Sequence, residues 1–119
     1  MIERLNENEV FVFGSNMIGF HGAGAALQAK EKFGAQNGIA EGMTGQCYAF
    51  PTLNEEFGKR TDEEWSSSVQ KLYRCVIENP DKKFLLTKVG CGIAGYDEEW
   101  VKQCFLYDCP KNIIKPEGW

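Results

Sequence analysis

Short apolar runs alternate along this chain with longer polar stretches, and the apolar residues fall into two patterns. In the first they are continuous: Val10-Phe11-Val12-Phe13, Cys47-Tyr48-Ala49-Phe50, and Phe84-Leu85-Leu86 inside a run from Lys83 to Val89. Continuous apolar runs bounded by polar residues and glycines predict strands buried on both faces. In the second pattern they recur at helical spacing. Trp65, Val69, Leu72, Tyr73, Val76 and Ile77 form one such set. Thr61 or Asp62 can cap that helix, Glu63 and Glu64 complement its dipole, and Asn79-Pro80 ends it. Alanine-rich sequence from Ala23 to Phe33 predicts an earlier helix, with Gly34 as its C-cap. Asp97 can cap a last helix carrying Trp100, Val101, Cys104 and Phe105. Residues 111–114 predict a short fourth strand. Residues 1–8 read as a loose polar lead-in, and residues 34–46, with four glycines, as a loop. Pro51 is expected to stop the second strand, leaving residues 52–61 as loop.

The predicted order is β-α-β-α-β-α-β, in one domain over residues 1–119. Strands alternating with helices imply an α/β fold, a three-layer α/β/α arrangement around a small, mainly parallel sheet. Ligands of such sheets sit outside the carboxyl ends of the strands. Two glycine-rich turns fall there. The first follows Phe13 and reads Gly14-Ser15-Asn16-Met17-Ile18-Gly19-Phe20-His21-Gly22-Ala23-Gly24-Ala25-Ala26. The second follows Val89 and reads Gly90-Cys91-Gly92-Ile93-Ala94-Gly95-Tyr96. The Pro51-Thr52 junction lies at the same end. Glycine turns that enter helices bring bare backbone N–H groups up to a ligand, so the two turns read as two walls of one phosphate-accepting pocket.

Composition narrows the partners. A hydrophobic content of 43% and a charged content of 25% are those of an ordinary globular domain. A net charge of −4 speaks against a duplex nucleic-acid binder, which carries a basic stripe, but not against a small anion held by backbone amides. No apolar stretch approaches the ~18 residues of a membrane span, and no signal peptide is visible. Five cysteines (Cys47, Cys75, Cys91, Cys104, Cys109), an odd number without C-x-x-C spacing, and a single histidine give no zinc pattern. They read as small core residues in a reducing compartment, which makes the cytoplasm the expected location and leaves no metal or cofactor predicted.

The first turn is not a P-loop, because no Gly-Lys-Ser/Thr follows. It is not a full G-x-G-x-x-G either, because Leu27 takes the third glycine position and no acidic residue ends the second strand. It resembles the macro-domain signature instead: a strand, an Asn, a loop, and a small-residue helix start. Tyr48-Ala49-Phe50-Pro51-Thr52 is similar to the "F-P-T" step of the branch that holds DNA- and glutamate-ADP-ribose hydrolases, and Val89 to Tyr96 is similar to its "P-x-G-C-G-x-G-G" loop. Trp100-Val101 falls at the start of that branch's last helix. The resemblance spans roughly residues 9–105 and is closest to small bacterial and phage proteins with an F-V-F-G-S-N…H-G-A-G-A-A…G-C-G-x-A-G-Y pattern.

That resemblance implies a minimal macro-like fold that binds ADP-ribose or a related nucleotide. By the match, Asn16 contacts the distal ribose, and His21, Gly22, Ala23, Gly24 and Ala25 approach the ribose and diphosphate; Gly14 and Ser15 are further candidate ligand contacts. Thr52, in the F-P-T step, is another candidate ligand contact. Gly90, Cys91, Gly92, Ile93, Ala94 and Gly95 form the second phosphate loop, and Tyr96 covers the distal ribose. Asn16 and His21 are the candidates for positioning water in a weak ADP-ribosyl hydrolysis. The chain departs from the family at Leu53, where the hydrolases carry Lys, and at Ile93 and Ala94, where some carry an acid. The acidic residue for the adenine amino group has no match beyond Glu3 or Asn6. His21 is also open to a loop-packing reading, Asn16 to a turn cap, and Asp97 to a helix cap alone. A nucleophilic Cys91 is a further reading. The alternative function is a protein-interaction or structural module whose glycine turns serve only tight packing.

Overall fold

The computed structural model describes residues 2–119; Met1, the first residue of the expected lead-in, lies outside the described residues. The fold is α/β, a five-stranded mixed sheet with three helices. In chain order these are β1 (Glu9–Asn16), α1 (Gly24–Phe33), β2 (Gly42–Thr44), β3 (Cys47–Leu53), α2 (Asp62–Ile77), β4 (Lys83–Leu86), α3 (Glu98–Cys104) and β5 (Ile113–Ile114). The strand order is β2-β3-β1-β4-β5. All neighbours run parallel except β2, which is antiparallel to β3.

β1 sits at the centre because its apolar residues serve both faces. Phe11 and Phe13 pack with Ala26, Ala29 and Phe33 of α1 and with Cys47 and Ala49. Val10 and Val12 pack with Trp65, Val69, Leu72 and Val76 of α2 and with Val101 and Phe105 at the end of the chain's last helix. The alternation of a strand thus separates two clusters, and each large side chain buried in them contributes about 1.5–3 kcal/mol relative to exposure. The lead-in is not loose: Ile2 and Leu5 pack against the α1 cluster, and Gln28 donates to the Ile2 carbonyl.

The helices start and stop as their caps dictate. Thr61 and Glu64 form a reciprocal capping box on α2, and the Asp97 carboxylate accepts from the Trp100 amide on α3. Gly34 closes α1 in the left-handed conformation at φ 83°. The apolar stripe of α2 runs short of its expected length, since Ile77, in the last turn, is exposed.

Three strand boundaries differ from expectation. The glycine-rich stretch contains β2, which returns through Gly45, at φ 57°, to pair with β3. Pro51 does not stop β3. β2 pairs only with Cys47 to Ala49, so one side of β3 is free beyond that point and a residue without an N–H is tolerated. β4 ends at Leu86 rather than Val89: the Thr87 amide makes the last rung to the Val12 carbonyl at 3.2 Å, its hydroxyl caps the same carbonyl at 2.7 Å, and the Val89 amide then folds back onto the Thr87 carbonyl at 2.8 Å. β1 meanwhile continues to Asn16 beside β3, past its last pairing with β4 at Val12. The sheet splays there. Because β1 connects towards β3 and β4 towards β5, the exits of these adjacent strands also diverge, which is the point where α/β sheets open a crevice.

Candidate functional site

The crevice is a cavity of about 590 Å³. From β1 it takes Gly14, Ser15 and Asn16; from the turn into α1, Gly22, Ala23, Gly24 and Ala25; from β3, Thr52. The second glycine turn contributes Gly90, Gly92, Ile93 and Ala94. Two segments more than sixty residues apart therefore form opposite walls of one space, and Ile93, 89% exposed, stands at its edge.

The α1 wall is built to leave amides free. Ala23 occupies the N-cap in extended conformation and has no side-chain oxygen to offer, and no acidic residue stands in the first turn. Gly24, at φ 58°, faces open space: a Cβ there would meet nothing within 4 Å. The first N–H groups of a helix lack intrahelical acceptors and carry the positive end of its dipole, so they favour an anion. The glycine wall adds Lys88, whose ammonium lies 3.3 Å from the Glu98 carboxylate. Lys88 is the one titratable side chain lining the cavity among the described residues.

The base of the cavity is tied down. Thr52 Oγ1 donates to the Ser15 carbonyl at 3.0 Å, and Ser15 Oγ donates to the Ala40 carbonyl. Gly14 allows the close approach of Thr52 and the Gly90 amide, at 3.3 and 3.5 Å from the position of a Cβ. Asn16 grips the following turn, its Nδ2 donating to the Phe20 carbonyl at 2.9 Å and its Oδ1 accepting from the Phe20 amide at 3.1 Å. Asn16 therefore lines the cavity and caps a turn at once.

Four of the expected site residues lie outside the lining. His21 is fully buried. Its ring packs edge-on to Phe13 at 5.0 Å, and Nε2 lies 3.0 Å from the Gln36 carbonyl, which makes Nε2 the protonated nitrogen. Nδ1 has no partner, and burial lowers the pKa of the ring against the pull of the Gln36 and Ile39 backbone. This histidine packs the loop; it does not reach the cavity. Tyr96 points inward as well. Its hydroxyl donates to the Thr52 carbonyl at 2.7 Å and accepts from the Arg60 amide at 2.8 Å, while its ring packs on Trp65 and Trp100. It clamps the second turn to β3 rather than covering a ribose. Gly95 completes that turn at φ 76°. Cys91 is half-buried, its thiol donating to the Val89 carbonyl at 3.6 Å, and burial followed by the Glu98 carboxylate pushes its pKa up. That environment disfavours the thiolate that a nucleophile needs.

Glu3 and Asn6 fail as adenine contacts. Asn6 lies by the amino end of β1, its carbonyl accepting from Gln46, and Glu3 pairs with Lys32 at 3.6 Å on α1. Conversely, Phe20, Leu53, Phe57, Thr87, Lys88 and Val89 line the cavity without having been singled out as ligand contacts. Lys88 carried a readable signal, a cation two residues before a glycine turn. Phe57 carried a weaker one, an aromatic in a polar loop. It is exposed, at φ 61°, in a turn organised by Asn54, whose Oδ1 accepts from the amides of Glu56 and Gly58 at 2.9 Å each. Strain of that kind in a non-glycine residue gathers at functional sites. No protein-family model, curated protein or solved structure matches the chain.

Proposed function

We propose that the chain is a minimal macro-like domain of three α/β/α layers, and that its cavity binds ADP-ribose or a related nucleotide diphosphate. The observation that carries this reading is the meeting of an uncapped helix N-terminus with a glycine turn across one cavity, at the carboxyl ends of parallel strands. The diphosphate sits between the first amides of α1 and the Gly90–Ala94 wall, with Lys88 beside it. Phe20 and Phe57, both exposed along the lining, offer apolar faces to a sugar or base. The volume suits a ligand of this size. Binding is favoured over turnover. Among the described residues the lining holds no carboxylate or imidazole, the Asn16 amide is engaged with Phe20, and Leu53 stands where the resembling hydrolases place Lys. Any ADP-ribosyl hydrolysis is therefore weak.

The alternative of a packing module accounts for some of the glycines. Gly19, Gly45 and Gly90 are each too close to a neighbour to carry a Cβ, whereas Gly24 and Gly92 face open space. Gly92 also has no left-handed φ, which makes it the cleaner probe. Calorimetric titration with ADP-ribose, with AMP and NAD as controls, tests the reading in the parent chain and in Gly92→Val. The binder gives micromolar or tighter ADP-ribose affinity that falls on the order of tenfold in the variant, with stability unchanged within about 0.5 kcal/mol. Absence of binding to all three nucleotides overturns the reading.

A further inference from the structure

A second cavity, of about 290 Å³, opens between α2 and the segment from Trp100 to Asp108, and it shares no lining residue with the first. Its chemistry is different. Four aromatic side chains line it, Trp65, Tyr73, Trp100 and Tyr107, together with the carboxylates of Asp62 and Asp108. Among the described residues, no lysine, arginine or histidine lines it.

The parts are arranged by depth. Trp65 and Val69 are buried and make the floor. Trp65 and Trp100 meet at 5.3 Å and 60°, so their rings form a corner rather than a flat stack. Tyr107 is 77% exposed at the mouth, and both aspartates are exposed beside it. Asp108 is held at φ 56°, one of two left-handed residues that are not glycine among the described residues. Neither aspartate has a salt-bridge partner among the described residues. The Tyr73 hydroxyl is buried without a hydrogen-bond partner. Burial, then nearby Cys109 and Asp108, push its pKa up, and burial also raises that of Cys104. Both stay neutral, so the charge of the groove is that of its two carboxylates.

Aromatic faces are the negative poles of their rings, and two carboxylates at the rim add to that field. The groove therefore repels anions and attracts cations. A bare metal ion is disfavoured, because no group of three or more His, Cys, Asp or Glu is placed to hold one among the described residues. The apolar floor favours a cation with an apolar coat, and the volume suits a compact head group rather than a nucleotide. We infer that this groove is a binding site for a small organic cation of the quaternary ammonium class, seated at Trp100 and Tyr107 over the buried floor of Trp65 and Val69 and balanced by Asp62 and Asp108.

The test titrates the full chain with choline and with its uncharged isostere 3,3-dimethylbutan-1-ol, read by tryptophan fluorescence. Choline saturates at millimolar concentration or below, and the isostere binds weaker on the order of tenfold. Tyr107→Ala and Asp108→Asn, both at exposed positions, each weaken choline by about fivefold without moving the thermal midpoint. Asparagine accepts the left-handed backbone of position 108, so that variant keeps the turn. Equal affinity for choline and the isostere would reduce the groove to an apolar cleft and overturn the inference. Failure of choline to saturate, or unchanged choline affinity in both variants, would do the same.

Discussion

Ala23 does its work through the atoms it lacks. A serine or aspartate at this N-cap would fold back on the first amides of α1, as Thr61 and Asp97 do on the other two helices. Ala23→Asp should therefore raise stability by about 1 kcal/mol in urea denaturation while weakening ADP-ribose on the order of tenfold. Opposite signs for folding and binding separate a ligand site from a packing role. His21 gives a second prediction. Burial lowers its folded-state pKa below the ordinary 6.5, so the unfolded chain binds more protons below that pH, and stability falls as the solution is acidified through this range. At neutral pH His21→Gln loses the edge contact with Phe13 and costs stability; the gap between parent and variant should narrow as pH falls from about 7 to 5, read by urea titrations along the series. A gap that stays constant would place the titration elsewhere. Residue types revealed the two walls, since Gly24 and Gly92 announce themselves in the sequence. The burial of His21 was not legible, because only the fold shows that its ring turns inward onto Phe13 and Gln36 while Ile18 and Phe20 of the same loop stay exposed.

At the scale of elements, the second glycine turn depends on one hydroxyl. Tyr96 joins Thr52, at the end of β3, to the Arg60 amide, and Arg60 Nη1 in turn reaches the Pro51 carbonyl and Ser68 Oγ at 2.9 and 2.8 Å. Tyr96→Phe leaves the Arg60 amide and the Thr52 carbonyl without that partner, at a cost of about 1 kcal/mol. It should also speed hydrogen exchange at the Cys91 and Gly95 amides, which bond to Lys88 and Gly92 within the turn. Unchanged exchange at both would mean that the turn holds itself. α2 was legible from end to end save for Ile77, because a capping box and a three-to-four-residue period are local signals. β2 was not: its residues are flanked by glycines that read as loop, and its pairing depends on Cys47 to Ala49. The end of β4 was hidden as well, since the turn that stops it, the Val89 amide on the Thr87 carbonyl, lies inside an apolar run that reads as strand.

Across the whole molecule, the direction of the connections places the first cavity, and a ligand there spans β1, β3, α1 and the turn after β4. Its binding should stabilise the domain as one unit. ADP-ribose at about 100 times its dissociation constant adds roughly 2.7 kcal/mol, and the thermal midpoint climbs with the logarithm of concentration. A midpoint indifferent to ADP-ribose would leave the cavity to another ligand. The α/β class and the end of the sheet that carries the cavity followed from the alternation of apolar runs. The second cavity did not, because Tyr107 and Asp108 meet Trp65 and Tyr73 only after the last helix folds back. The sheet has one more property. Its outer strands, β2 and β5, are only three and two residues long, so neither presents a long ladder of free amides and carbonyls to another strand. The frame that holds two open cavities thus offers a neighbouring sheet only short runs of backbone to extend.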